Sequence, residues 1–314
     1  MTHGTGGSAQ GERAHGHVER LVAALRVARD GARDPDRGTG DTLPSARALA
    51  GVVEAIVAAL FPNHFGPPDM GTSGVDRFVR DTLERALQTL LDQVCRELRW
   101  TARRGSLDGG GIDEHAGGIV RQFAASLPGV RSRLESDVNA AYRGDPAAKS
   151  IDEVLICYPG VKAIMHHRLA HALYELGTPL IARLIAEVAH SATGVDIHPG
   201  ARIGGSFFID HGTGVVIGET AVIGDRVRLY QAVTLGAKRF EVDEDGALVK
   251  GTPRHPIVED DVVIYAGATI LGRITIGRGS TIGGNVWVTR SVAPGSHLTQ
   301  ALARIEVFDA GSGI

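Results

Sequence analysis

Residues 195–236, VDIHPGARIGGSFFIDHGTGVVIGETAVIGDRVRLYQAVTLG, decide the fold. A branched aliphatic residue returns at every sixth position, as Ile197, Ile203 and Ile209, then after an eight-residue step as Ile217, Ile223, Leu229 and Leu235. After an interruption the series resumes as Val258, Ile264, Ile270, Ile276, Ile282 and Val288. Gly follows the aliphatic residue at 204, 218, 224, 277 and 283. A residue no larger than Val stands four places after it at Ala221, Val227, Val233, Val262, Ala268, Ser280 and Val286, with Phe207 and Ile274 as exceptions. A helix returns its apolar residues every three to four positions and an amphipathic strand every two. A period of six fits a triangular coil: each unit makes one short strand and a corner, the aliphatic residue points inward, and Gly permits the corner. Stacked coils bury an aliphatic column that no single coil could bury. The spacing therefore predicts a parallel β-helix.

The register breaks twice, and polar residues gather at both breaks. Two extra residues fall within Asp210-His211-Gly212-Thr213-Gly214. A longer insertion, 236–257, ends in Pro253-Arg254-His255-Pro256. Loops thrown out from a rigid scaffold are where chemistry concentrates.

Upstream, apolar residues recur at helical spacing. Residues 1–16 are polar, rich in Gly, and aperiodic, which predicts a disordered tail. Helices are expected from Val18 through Leu25, from Pro44/Ser45 to Phe61-Pro62, over 74–100, over Ile119–Leu127, and again from Pro128 to Tyr142, with a loop at 101–118. Asp145-Pro146 reads as an N-cap followed by Pro at the first helical position. Two more helices follow, at 161–176 and 179–190. The organisation is α+β: a disordered tail 1–16, an all-α domain 17–190, a β-helix 191–298 carrying the inserted loop, and a C-terminal tail 299–314.

Composition narrows the function classes. Of 314 residues 43% are hydrophobic but 5% aromatic, so the core is built from small aliphatics, which suits stacked coils. A net charge of −3 gives no footing for nucleic acid or a membrane surface. Cys95 and Cys157 lie in helical stretches, and the N-terminus carries no signal-like apolar run. They are expected as reduced core thiols of a cytoplasmic protein.

The runs Asp196-Ile197-His198-Pro199, Asp210-His211-Gly212-Thr213-Gly214, Val216–Ile223, Val233-Thr234-Leu235-Gly236 and Arg254-His255-Pro256 together resemble the serine O-acetyltransferases, with the match reaching back to Gly144-Asp145-Pro146-Ala147. The resemblance implies a left-handed coil and transfer of acetyl from acetyl-CoA to the hydroxyl of L-serine for cysteine synthesis, with no metal. It implies His211 as general base and Asp196 as the carboxylate supporting its imidazolium. Asp145 and Asp210 would bind the serine ammonium, Arg254 its carboxylate, and His255 would line the pocket. CoA would lie near Gly236, Ala237, Ala266, Gly267 and Gly284. The chain departs from the family pattern in its longer, charged 237–253 segment, in Ala237, and in Thr299–Arg304 after the last coil.

The chemistry is sound on its own terms. A serine hydroxyl is a poor nucleophile until it loses its proton, and imidazole, with an ordinary pKa of about 6.5, can take it at neutral pH. A carboxylate on the other ring nitrogen fixes the tautomer and stabilises the imidazolium. Asp196 and His211 lie fifteen residues apart, which places them on neighbouring rungs. His166, His167, His171 and His190 sit on helical patterns and are read as packing or surface residues.

Other readings of the same coil are an acetyltransferase for another hydroxyl acceptor, a metal hydratase resembling γ-class carbonic anhydrase with His198, His211 and His255 as ligands, and a non-catalytic scaffold. Such prisms pack as trimers, so a homotrimer with sites between subunits is expected, or a hexamer if the helical domains pair. In the family a C-terminal tail like this one, closing on Ile314, resembles the peptide that enters the active site of O-acetylserine sulfhydrylase.

Overall fold

A computed structural model describes residues 6–31, 43–68, 70–103 and 111–300. From Asp196 onward each hexad makes one short parallel strand. In chain order these are β1 Asp196–Ile197, β2 Arg202–Ile203, β3 Phe208–Ile209, β4 Val216–Ile217, β5 Val222–Ile223, β6 Arg228–Leu229, β7 Thr234–Gly236, β8 Ile257–Val258, β9 Val263–Ile264, β10 Thr269–Leu271, β11 Thr275–Ile276, β12 Thr281–Ile282, β13 Trp287–Val288 and β14 His297–Leu298. Strands three apart in the chain stack, except at the last coil, where β14 pairs with β12. The first face is β1-β4-β7-β10-β13, the second β2-β5-β8-β11, and the third β3-β6-β9-β12-β14.

Pairing keeps the hexad residues in columns: Ile197 on Ile217, Ile217 on Leu235, Leu235 on Ile270 and Ile270 on Val288. Two-residue strands are stable here because each inward aliphatic is buried between the coils above and below it. Ile217, Leu229, Leu235, Ile264, Ile270, Ile276 and Ile282 are at most 1% exposed. Each such side chain contributes about 1.5–3 kcal/mol relative to remaining in water. The two extra residues after Ile209 and the insertion after Gly236 leave the columns intact, because both project outward at corners.

The helices are α1 Gly6–Gly31, α2 Ala46–Leu60, α3 Pro62–Phe65, α4 Thr72–Arg103, α5 Ile112–Gly144, α6 Ile151–Cys157, α7 Pro159–Glu175 and α8 Pro179–Thr193. Ser45 caps α2 by accepting from Ala48 N–H at 3.3 Å, and Pro stands at the start of α7 and α8. Several expectations need correction. First, α1 begins at Gly6, inside the segment expected to be disordered. Second, the loop expected at 101–118 is shorter, since α4 runs to Arg103 and α5 starts at Ile112. In addition Pro128 lies within α5 instead of restarting a helix. Buried Phe123 and Leu127 before it and Val130 and Leu134 after it share one stripe. Their packing outweighs the roughly 3 kcal/mol that an interior proline costs.

Third, Asp145 is the C-cap of α5 and not the N-cap of a following helix. Ser150 caps α6 instead, its Oγ accepting Glu153 N–H at 3.0 Å while Glu153 accepts Lys149 N–H at 2.6 Å, close to a capping box. Asp145 spends one oxygen on its own turn, accepting Ala147 N–H at 2.8 Å. Fourth, both thiols are free, but Cys157 is exposed and only Cys95 is buried.

Helices and prism share one apolar core. Helix α7 spans the top of the first coil, and Gly160 at its start touches the end of β3, where a Cβ would overlap the Ile209 carbonyl oxygen. A buried ion pair ties the two halves: Arg168 donates to both oxygens of Asp137, at 2.6 and 2.8 Å. The same guanidinium donates to the carbonyls of Ile203 and Gly204, and Asp137 accepts Phe207 N–H at 2.9 Å. Within the helices, the buried Glu97 carboxylate accepts Leu180 and Ile181 N–H, each at 2.8 Å, and so caps α8.

Candidate active site

The corner entering the first face, here the leading edge, carries the Asp210–Gly214 insertion. His211 holds φ 58°, a left-handed conformation that His tolerates better than most side chains, and glycines with positive φ follow at 212 and 214. Gly214 N–H donates to the Gly194 carbonyl at 2.8 Å and Asp196 N–H to that of Val215 at 2.9 Å, so the loop stacks directly on the segment bearing Asp196.

At this edge the imidazole Nε2 of His211 stands 3.8 Å from Asp210 Oδ1, and the ring is largely exposed. The other Asp210 oxygen accepts from Arg228 Nη2 at 2.6 Å. Asp145 faces the same space from the helical side and accepts the Tyr158 hydroxyl at 2.5 Å. That hydroxyl first, and Ala147 N–H second, hold the Asp145 carboxyl below the usual carboxylate range. The Tyr158 phenol is pushed up to about 12 by the same bond. Asp145, Asp210 and His211 therefore converge. Asp196 joins them through backbone only: among the described residues no hydrogen bond links it to His211, and its carboxylate lies within 4.8 Å of ligand atoms of Glu187 and His190.

Arg254 and His255 stand elsewhere, on the corner leaving the first face, the trailing edge. There the Thr220 hydroxyl accepts the N–H groups of Arg254 and His255 at 2.9 and 3.1 Å, fixing the exit of the long insertion. Arg254 donates to Glu219 at 2.6 Å, and Tyr174 reaches the same carboxylate at 3.3 Å. Burial pushes Glu219 up, but Arg254 pulls it below the ordinary range. The His255 ring lies over Gly218, where a Cβ would overlap it. Thr220 N–H donates to His255 Nδ1 at 3.1 Å, which leaves the proton of the neutral ring on Nε2. Burial first, then Arg254, lowers this imidazole to about 4, so it is a neutral donor at physiological pH.

The five positions expected to touch CoA divide between the same two edges. Gly236 and Ala237 are on the trailing edge, and Ala266, Gly267 and Gly284 on the leading edge. Gly267 has φ 71°, and a Cβ there would overlap Asn285 Oδ1, so Gly is required by the stacking alone. His198 and His255 share the trailing edge while His211 is on the leading one, so the three imidazoles considered as metal ligands do not meet within a chain. Ile314 lies outside the described residues. Tyr158, Glu219, Thr220 and Arg228 were not singled out from sequence. Nothing in the spacing marks them, since each acquires its partner from a different coil or helix.

Residues 255–290 match the family described as bacterial transferase hexapeptide (six repeats). A plasmid-borne serine acetyltransferase of Synechococcus elongatus is 59% identical over 276 residues, covering 87% of this chain and 86% of that protein. The chain belongs to the serine acetyltransferase family. The Mycobacterium tuberculosis serine acetyltransferase is 52% identical over 161 residues, 51% of this chain and 66% of that protein. Among solved structures, Entamoeba histolytica serine acetyltransferase isoform 3, in complex with cysteine, superposes with a TM-score of 0.69 at 32% identity over 92% of this chain and 94% of that one. A soybean serine acetyltransferase complexed with serine gives 0.53 at 32% identity over 82% and 98%. As a serine acetyltransferase the chain is an acyltransferase on a hexapeptide-repeat β-helix, and the reading as a hydratase is set aside.

Proposed function

We propose that the leading edge binds L-serine and that the chain transfers acetyl from acetyl-CoA to its hydroxyl, giving O-acetyl-L-serine and free CoA. The observation carrying this reading is the convergence of Asp145, Asp210 and His211, with His211 Nε2 3.8 Å from Asp210 Oδ1. An amino alcohol with its two groups on adjacent carbons suits a base nitrogen placed this close to a carboxylate. The ammonium is held between Asp145 and Asp210 while the hydroxyl points at the imidazole.

His211 takes the hydroxyl proton as the oxygen attacks the thioester carbonyl. Collapse of the tetrahedral adduct breaks the C–S bond, and the imidazolium returns the proton to the departing thiolate. Asp196 is the carboxylate we assign to the other ring nitrogen, a role supported by the stacking of the His211 loop on its strand. Backbone N–H groups at the Gly-rich corners are the donors available for the oxyanion.

Arg254, as the ligand of the serine carboxylate, and the neutral His255 stand one face away from His211. A complete pocket then needs the trailing edge of one chain against the leading edge of a second. The division of the CoA positions between the same edges supports the same arrangement, a homotrimer or a dimer of trimers. The free thiols support a cytoplasmic setting, and no described helix is long and apolar enough to cross a membrane. O-acetylserine sulfhydrylase is the partner proposed for the tail ending at Ile314. Deleting Ile314 should abolish co-purification with that enzyme.

The test is an acetyl-CoA/L-serine assay on the parent and on His211→Ala, together with hybrids of His211→Ala and Arg254→Ala chains. Recovery of activity in mixed oligomers supports shared sites. Inactive mixtures of properly assembled chains overturn them.

A further inference from the structure

We propose that Arg228 is a positioning residue for the acceptor site, a guanidinium clamp that sets Asp210 and the Gly144–Asp145 turn relative to each other. The inference rests on the reading of Asp145 and Asp210 as the ammonium ligands. Arg228 projects outward from β6 on the third face and makes its two hydrogen bonds to different parts of the molecule. Nη2 donates to Asp210 Oδ2 at 2.6 Å, in the prism, and Nη1 donates to the Gly144 carbonyl at 2.7 Å, at the end of α5.

These are the residues immediately preceding His211 and Asp145, so one planar group fixes both loops at once. Its plane is held in turn by aromatic rings, with the guanidinium carbon 4.8 Å from the Phe208 centroid and 4.6 Å from that of Tyr230. Tyr230 is itself stacked on Tyr265 at 5.0 Å and 12°. Gly144 is pressed against the same Phe208, where a Cβ would stand 3.1 Å from the ring.

The consequence for the site is directional. Among the described residues Arg228 makes the only side-chain hydrogen bond to Asp210. It occupies Oδ2 and leaves Oδ1 facing His211 Nε2. On the other side the Tyr158 hydroxyl orients Asp145. With Oδ2 engaged, the Asp210 carboxylate cannot turn, and its free oxygen stays on the substrate side. A lysine could replace the charge but not the simultaneous, planar reach to two acceptors.

The test compares Arg228→Lys, Arg228→Gln and Arg228→Ala with Asp210→Asn and Asp145→Asn. KM is measured separately for L-serine and acetyl-CoA, and thermal unfolding establishes that each variant is folded. For Arg228→Gln and Arg228→Ala we expect KM for L-serine to rise about tenfold or more, with KM for acetyl-CoA within about twofold. Arg228→Lys should lie between them and the parent, and millimolar guanidinium chloride should restore part of the serine affinity to Arg228→Ala but not to the parent. A serine KM unchanged in Arg228→Lys and Arg228→Gln while Asp210→Asn raises it overturns the clamp and leaves the acceptor site standing. Parallel losses for both substrates without guanidinium rescue overturn it as well. If Asp145→Asn and Asp210→Asn leave serine KM unaltered, the reading of the acceptor site is what fails.

Discussion

His211 Nε2 stands 3.8 Å from Asp210 Oδ1, at a corner where the chain carries two residues more than the repeat requires. The insertion presents the imidazole to solvent instead of packing it into the coil. A general base contributes about 10²–10⁴-fold. His211→Ala should therefore lower kcat several hundred-fold or more while thermal unfolding stays near that of the parent, because the ring packs against little. An equal loss of stability and activity would assign the residue a structural role.

Gly218 lies beneath the His255 ring, with no room for a methyl group. Gly218→Ala must displace the ring and break its bond to Thr220 N–H. Overpacking of this kind costs about 1–3 kcal/mol. Denaturant unfolding should register that loss, and steady-state kinetics should register a drop in kcat/KM. A fully active, equally stable variant would contradict the close packing.

The Asp137–Arg168 pair is almost fully buried and links α5, α7 and the first coil. Asp137→Ala leaves a buried guanidinium uncompensated, at a cost of about 3–5 kcal/mol. Arg168→Met with Asp137→Leu should recover much of that loss, since both charges are removed together.

Burial lowers His255 to about 4, and the buried His166 and His167 move in the same direction. In the unfolded chain these imidazoles titrate near 6.5. Below the ordinary imidazole range the unfolded chain binds protons that the folded one does not, so stability should fall as pH drops from about 6.5 toward 4. Urea midpoints across that range check it, and His255→Asn should shallow the slope.

The β-helix was legible because its physics is one-dimensional: a buried column at a fixed period is written directly into residues such as Ile217, Leu235 and Ile270. The helical half was legible element by element, but its joints were not. Local propensity makes Pro128 a break, whereas in the fold Phe123 and Leu134 pack on either side of it in one stripe. Asp145-Pro146 has the residue types of an N-cap, but the side chain that caps the next helix is Ser150. The motif residues Asp145, Asp210, His211, Arg254 and His255 could be named from sequence. Their grouping came only through the resemblance, and the spacing of the residues does not give it.

Sequence alone determined the coil, its inward column, the two places where polar groups leave it, and, through its motifs, the family. Tertiary structure alone decided that Asp145 faces Asp210 and His211, that Arg228 and Tyr158 orient those carboxylates, and that Arg254 and His255 stand a face away. The reason is distance along the chain. A repeat is set by neighbours six residues apart, whereas Arg228 meets its partners across eighteen and eighty-four residues, separations that only the completed fold brings within a hydrogen bond.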